Sequence, residues 1–291
     1  MNGHDMMQTS TFPTLAVRQG FSFIDGDCVP ELTSFLQTAR KDVRRRTRRG
    51  FFKQLALNAA VRRIRAASAS TDAAIRETYD REYAGDAPYG YASAMLSKYG
   101  FDLITGIRGD KTKLRVIDIG AGSNEFLRFC RDTLMIPSGQ LHGTDVSPRS
   151  RDIIIRDGFT GYAGRLEDLD IPKKSFDLAY LSYFIDYDTD QKATFTAALE
   201  LVRSGGKIVL EGWFPVRPFA LLEKDHDTFA FVTKGRSAEE DVCLVADSFH
   251  MLGKDIGREV RLTQVLRTHR FVQSHYGFNE LPSFFLTFSV K

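Results

Sequence analysis

Short apolar runs alternate with amphipathic segments from residue 114 onward, and this alternation predicts the fold class. The apolar runs predict five strands, Leu114–Ile119, Leu141–Asp145, Gly161–Gly164, Phe176–Ser182 and Lys207–Trp213. Apolar positions at helical spacing predict three helices between them, Asn124–Thr133, Pro148–Asp157 and Asp190–Val202. Strands that alternate with helices form crossover units, so we expect an α/β fold whose parallel sheet carries helices on both faces.

The two ends of the chain have a different texture. Glu259–Val272 and Phe284–Val290 predict two further strands, joined by a turn at Gly277-Phe278-Asn279. Residues 1–30 show no clear period, and a polar, basic helical stretch then runs to a small-residue linker near residue 70. The pattern therefore predicts an N-terminal extension over residues 1–70 and a main domain over residues 71–291.

Charge is distributed unevenly along the chain. The formal net charge is +3, but residues 40–65 contain eleven Lys or Arg side chains and one acid, a net charge of +10, so the remainder carries −7. Such a segment is interpreted as a solvated helical arm, as a contact with the acidic body, or as a docking site for an anionic surface such as a membrane, nucleic acid or carrier protein.

Composition excludes several classes of protein. Hydrophobic residues make up 43% and charged residues 26% of the chain, as is typical of a soluble globular protein. No apolar run reaches the ~20 residues that span a bilayer. The three cysteines are far apart and lie in no metal-ligand spacing, so we expect no disulfide scaffold, no bound metal and a cytoplasmic location.

The loop after the first strand of the main domain carries the sharpest chemical signal. Asp118-Ile119-Gly120-Ala121-Gly122 leads from a strand into a helix, where glycines permit close approach of a ligand to the backbone. Glu125 stands where a dinucleotide fingerprint has its third glycine, and no phosphate-binding lysine motif follows. The acid Asp118 favours a cationic or amino-bearing ligand.

This acid-x-Gly-x-Gly segment resembles the first motif of class I S-adenosylmethionine-dependent methyltransferases. The resemblance implies a Rossmann-like seven-stranded, mostly parallel sheet, with S-adenosylmethionine as cofactor and Asp118 at its methionine end. The family's third glycine is replaced by Asn124, which also tolerates positive φ.

Three later segments match the family in the same order. Asp145, at the end of the second strand, would bind the ribose hydroxyls, since a carboxylate has two acceptor oxygens for a vicinal diol. Gly164–Pro172 resembles the adenine-binding segment, but Arg165 stands where the family has an acid, so adenine recognition would fall to the backbone of Leu166 or to Glu167. Gly205-Gly206 matches the usual entry to the fifth strand. The cofactor-binding residues that the resemblance implies are Asp118, Gly120, Ala121, Gly122, Asp145, Val146, Leu166, Glu167 and Ser182.

Residues after the fourth strand face the methyl group in this family. Tyr183 and Asp186 are therefore the candidate catalytic residues, which would position or deprotonate the acceptor. Alternatively, Tyr183 only covers the cofactor and Asp186 caps the next helix. The long segment 214–255 is interpreted as a possible lid over the site.

These observations predict a methyltransferase that acts on a small-molecule acceptor. Two alternatives remain open at the level of sequence. The acceptor is RNA or protein recruited by the basic arm, or the chain is a non-enzymatic binding module that retains the fold.

Overall fold

The computed structural model describes residues 20, 22–25, 110–182, 190–212, 220–225, 228–232, 238–274 and 277–291. The basic segment and the candidate catalytic residues Tyr183 and Asp186 lie outside these residues, as do most of residues 1–109. The expected N-terminal helical extension therefore remains a prediction.

Ten strands and four α-helices make up the described chain. The strands are β1 Ser22–Asp25, β2 Val116–Ile119, β3 Leu141–Asp145, β4 Thr160–Ala163, β5 Phe176–Ser182, β6 Val202–Gly212, β7 Ala220–Asp225, β8 Thr228–Val232, β9 Val260–Ser274 and β10 Gly277–Val290. The helices are α1 Glu125–Asp132, α2 Pro148–Arg156, α3 Gln191–Leu201 and α4 Ala238–Asp255.

One large sheet organises the fold, with strand order β1-β9-β10-β6-β5-β2-β3-β4. β10 runs antiparallel to both β6 and β9, while the pairs on either side of β2 are parallel. The seven strands from β9 to β4 confirm the predicted Rossmann-like sheet. β1 adds an eighth strand, parallel to β9, which the sequence pattern did not predict because a four-residue edge strand has too few positions to show a period.

Two apolar layers cover opposite faces of this sheet. Ile117 and Ile119 of β2 belong to a buried cluster that includes residues of α3 and α4, whereas Val116 belongs to a second cluster with residues of α1 and α2. Because side chains alternate along a strand, Asp118 lies on the same face as Val116. The helices on both faces confirm the predicted layers.

The helix starts follow local capping chemistry. Ser147 caps α2, since its side chain accepts a hydrogen bond from the backbone N–H of Ser150 (3.3 Å), and Pro148 is the first helical residue, as predicted. Asp190 caps α3 by accepting from the N–H of Ala193 (3.0 Å). The alternative role of Asp186 as this cap is therefore wrong.

Two predictions for the C-terminal third need correction. Residues 238–255 are a crossover helix rather than part of a lid, because Val242, Val245 and Phe249 of α4 are buried in the core. The segment Gly277-Phe278-Asn279 is not a turn but the start of β10, since the long strand β9 ends at Ser274. The antiparallel pairing of β10 with β9, which begins at Gly277 and Ser274, extends both strands beyond their apolar runs.

Candidate cofactor site

The strand order reverses at β2, and such a reversal is where a ligand site is expected. From β2 the chain passes to β3 on one side, and β5, on the other side of β2, leads away to β6. This reversal of strand order opens a crevice at the carboxyl ends of β2 and β5, where open α/β sheets bind ligands.

The loop between β2 and α1 is held in a conformation that needs positive φ at three positions. Gly120, Gly122 and Asn124 have φ values of 73°, 52° and 56°. The backbone N–H groups of Gly120 and Ala121 both donate to the carbonyl of Thr144 (2.9 Å each), which ties the loop to the end of β3. Asn124 takes the left-handed conformation in place of a glycine, as the sequence predicted.

A side-chain contact explains how Asn124 is accommodated. Its Nδ2 atom donates to Oδ2 of Asp157 (3.1 Å), the C-cap residue of α2, and Nε of Arg128 donates to the same oxygen (2.7 Å). Asp157 therefore connects the start of α1 with the end of α2 and fixes the loop from behind.

Asp145 joins two of the loops at this edge. Its Oδ2 atom accepts from the N–H of Gly122 (3.0 Å), and its Oδ1 atom accepts from the N–H of Ser147 (2.8 Å). Ser150 adds a third tie, because its hydroxyl donates to the carbonyl of Gly122 (2.7 Å). A carboxylate offers about four lone-pair sites, so Asp145 has acceptor capacity beyond these two bonds.

Asp118 is the most unusual group in the site. It is only 3% exposed, and its Oδ1 atom has no hydrogen-bond partner within the described chain. Burial raises the pKa of this carboxyl well above its ordinary value, and the nearby acids Asp145, Glu211 and Glu125 raise it further. A buried carboxyl among other acids is suited to a cationic ligand, whose charge would stabilise the ionised form.

Glu211 lies at the same edge and was given no role by the sequence analysis. Its Oε2 atom accepts hydrogen bonds from the hydroxyls of Tyr180 and Ser182, the latter at 2.9 Å. Glu211 is 4% exposed. The sequence signal that could have indicated Glu211 is an acid directly after three apolar residues near the end of a buried strand. Its hydrogen-bond partners belong to β5, so the local pattern could not predict them.

The segment after β4 contains an internal ion pair. Nε of Arg165 donates to Oε1 of Glu167 (2.5 Å), and Oε2 of Glu167 accepts from the hydroxyl of Thr194 (3.3 Å). Leu166 between them is buried, and the N–H of Gly164 donates to the carbonyl of Asp145 (2.9 Å). Arg165 therefore neutralises Glu167 and occupies one of its carboxylate oxygens. Of the two predicted adenine contacts, the backbone of Leu166 is the one that does not compete with this ion pair.

The structure brings the predicted cofactor-binding residues to one edge of the sheet. They lie at or just beyond the carboxyl ends of β2, β3, β4 and β5: Asp118, Gly120, Ala121, Gly122, Asp145, Val146, Leu166, Glu167 and Ser182. No group of three or more His, Cys, Asp or Glu side chains among the described residues is arranged to hold a metal ion. None of the described helices is long and apolar enough to cross a membrane.

The seven-stranded order, the glycine-containing loop and the acids at the two strand ends define a Rossmann-like methyltransferase fold. Comparison with protein families agrees, because residues 90–230 match the family model described as a methyltransferase domain. Residues 90–230 therefore belong to a methyltransferase domain, and its cofactor is S-adenosylmethionine.

Solved structures resemble the chain at low sequence identity. An S-adenosylmethionine-dependent methyltransferase from Mesorhizobium loti is 16% identical, with a TM-score of 0.45 over 68% of this chain and 98% of that one. Phosphoethanolamine N-methyltransferase 2 from Haemonchus contortus is 16% identical, with a TM-score of 0.38 over 57% of this chain and 38% of that one. A comparison with curated proteins found no match.

The residues present fit this cofactor. The unpartnered, buried Oδ1 atom of Asp118 suits the ammonium group of the methionine part, which needs an acceptor away from water. Asp145 lies at the strand end where a ribose diol would find two carboxylate oxygens. Gly120 and Gly122, which take the positive φ values, have no side chain that would block close approach of the ligand.

Proposed function

We propose that the chain transfers the methyl group of S-adenosylmethionine to a small-molecule acceptor. The observation that carries the proposal is the buried acidic edge formed by Asp118, Asp145 and Glu211. Such an edge favours a cationic cofactor and repels a polyanion, so an RNA strand is disfavoured as the group that enters the pocket. A small neutral or cationic acceptor meets no such penalty.

Each residue has a distinct part in this proposal. Asp118 binds the ammonium group, Asp145 accepts from the ribose hydroxyls, and the loop from Gly120 to Gly122 approaches the methionine part through its backbone. Val146 and Leu166 flank the adenine ring, and Arg165 holds the side chain of Glu167 behind them.

The cofactor itself supplies an activated methyl group, so the protein's contribution is mainly alignment. Ser182 ends β5 beside Glu211 and leads directly to Tyr183 and Asp186, the proposed acceptor-positioning residues. An acceptor whose attacking atom carries a proton needs a base near this point, and Asp186 is the proposed base.

Titration calorimetry of the full chain with S-adenosylmethionine, followed by the same experiment on Asp145→Ala, tests the cofactor assignment. We expect binding by the wild type and a loss of about tenfold or more in the variant. Absence of binding by the intact chain would reject the assignment. Incubation with a metabolite mixture and mass spectrometry would then identify an acceptor by its gain of one methyl group.

The basic segment, residues 40–65, supports a second candidate function. Its +10 charge is suited to recruiting an anionic macromolecule, and the acceptor would then be RNA or protein. Replacing Arg44, Arg45 and Arg46 by Gln in the full chain separates the two functions. Activity on a small acceptor should be unchanged, whereas activity on a recruited macromolecule should fall and lose its dependence on salt.

A further inference from the structure

The backbone register assigns four polar side chains to one face of the sheet. Asp118 pairs with Tyr180 across β2 and β5, and Ser182 pairs with Glu211 across β5 and β6. Paired residues share a face, and so do residues two apart on one strand. Asp118, Tyr180, Ser182 and Glu211 therefore form one continuous polar patch, in which Glu211 lies nearer to the carboxyl edge than Asp118 does.

Packing fixes the direction of the Glu211 carboxylate. Tyr180 is buried and donates its hydroxyl to Oε2 of Glu211, and Ser182 donates to the same atom. The Tyr180 ring stacks on Phe126 of α1, with ring centroids 3.9 Å apart and planes at 25°. Since the ring has little freedom to turn, Glu211 holds its charge at a constant position.

Glu211 shares an electrostatic environment with the cofactor-binding acid. It is among the groups that raise the pKa of Asp118, after burial and Asp145 and before Glu125. Interactions between charges are several times stronger in a partly dry pocket than in water. A ligand that carries an additional positive charge at this edge is therefore attracted to Glu211 as well as to Asp118.

We propose that Glu211 is a specificity-determining residue that makes the pocket prefer the sulfonium form of the cofactor to its neutral product. The inference rests on the proposed role of Asp118. The two ligands share the same ammonium, carboxylate, ribose and adenine groups, and they differ at sulfur. In transfer, the electron pair of the acceptor atom would form the new bond to the methyl carbon, and the pair of the broken sulfur–methyl bond would remain on sulfur, which would lose its positive charge.

This difference has a consequence for turnover. The proposed hydrogen bonds of Asp118 and Asp145 are made to groups that both ligands share, so these hydrogen bonds do not distinguish the two ligands. A carboxylate held by Tyr180 and Ser182 interacts with the charge on sulfur, and it loses this interaction when the methyl group has left. Glu211 therefore weakens product binding relative to cofactor binding and limits inhibition by the product.

Calorimetry with three ligands tests the inference on the wild-type full chain. The ligands are S-adenosylmethionine, S-adenosylhomocysteine and the analogue in which a protonated amine replaces the sulfonium group. We expect the two cationic ligands to bind about tenfold more tightly than the neutral one. Equal affinities for the cationic and neutral ligands would overturn the inference.

Variants then assign the preference to Glu211. Glu211→Gln keeps the size of the side chain and removes its charge, so affinity for S-adenosylmethionine should fall about tenfold and that for S-adenosylhomocysteine less than about threefold. Tyr180→Phe keeps the charge but removes one of the two hydroxyls that hold the carboxylate, so the preference should fall by less than it does in Glu211→Gln. The matched control is Glu200→Gln, on α3, where Glu200 forms a surface ion pair with Lys173 (2.8 Å) and should affect neither affinity.

The outcomes distinguish failure of the proposed role of Glu211 from failure of the cofactor assignment. An equal loss for both ligands in Glu211→Gln, or an unchanged ratio, would overturn the role of Glu211 while leaving the cofactor assignment intact. Failure of the wild type to bind either ligand would reject the proposed function and the inference with it. Thermal unfolding of each variant shows whether it is folded. If Glu211→Gln does not fold, the comparison of cationic and neutral ligands on the wild type still tests the preference for the sulfonium form.

Discussion

The Oδ2 atom of Asp145 accepts a 3.0 Å hydrogen bond from the backbone N–H of Gly122, which lies 23 residues earlier in the chain. The carboxylate that ends β3 thus fixes the loop that follows the neighbouring strand β2. A residue proposed to bind ribose also holds the loop that is proposed to bind methionine, so the two halves of the cofactor site are structurally coupled.

Replacing Asp145 by Asn should therefore affect both stability and binding. The amide can accept at one oxygen only, so one of the N–H groups of Gly122 and Ser147 loses its partner, at a cost of about 1–3 kcal/mol in the free energy of unfolding. Urea denaturation measures this loss. Asp152→Asn, at an exposed position on α2, is the control and should change stability by less than about 0.5 kcal/mol.

Asp118→Asn should stabilise the ligand-free protein and abolish tight cofactor binding. The pKa of Asp118 is raised in the folded state, so the folded protein binds more protons than the unfolded chain, and stability falls as pH rises above the ordinary carboxyl pKa of 3.8. Asp118→Asn has no carboxyl group at this position to ionise, so it does not lose stability in this way as the pH rises. Denaturation between pH 4 and pH 8 should show a flatter profile for Asp118→Asn, and calorimetry should show at least about tenfold weaker binding. A variant less stable than the wild type at pH 8 would contradict this account.

Asn124 should tolerate glycine better than alanine. At a φ of 56°, alanine bears a strain of about 1–2 kcal/mol and also loses the hydrogen bond to Asp157, whereas glycine loses only the hydrogen bond. We expect Asn124→Ala to be the less stable variant by about 1 kcal/mol in chemical denaturation. Equal stability of the two variants would show that backbone conformation is not the reason for asparagine here.

Phe249→Ala tests the assignment of α4 to the core. Phe249 is fully buried, with its ring centroid 4.7 Å from that of Phe195 and 4.5 Å from that of Phe288. Its truncation should cost about 3–5 kcal/mol in the free energy of unfolding. Met251→Ala, on the same helix with a side chain that is 39% exposed, should cost less than about 1 kcal/mol. Similar small effects at both positions would favour a mobile lid.

His142 should make the protein less stable in acid. Burial, with a contribution from Arg115, lowers the pKa of His142 from 6.5 to about 4, so the folded state excludes a proton that the unfolded chain binds. The stability present above pH 6.5 is lost as the pH falls towards 4. His142→Gln should reduce this slope in denaturation experiments at pH 7 and pH 4.5, and an unchanged slope would contradict this account.

The local sequence pattern was sufficient to predict those elements and motifs that depend on a few neighbouring residues. The apolar runs predicted β3 and β5 with the bounds that the structure shows, and the alternation of strands and helices predicted a sheet with helices on both faces. The loop after Asp118 could be interpreted because glycine and asparagine are the residues that accept positive φ. Ser147 and Pro148 marked the start of α2 for a similarly local reason.

Only the tertiary structure decided the relationships between distant segments. Glu211 receives its hydrogen bonds from residues 29 and 31 positions earlier, and β1 reaches the sheet edge beside β9. These contacts depend on which strands become neighbours, and strand neighbours are fixed by the packing of the whole sheet. The sequence by itself therefore determined the fold class and the cofactor motif, whereas the arrangement of charge around Asp118 emerged only once the strands were brought together.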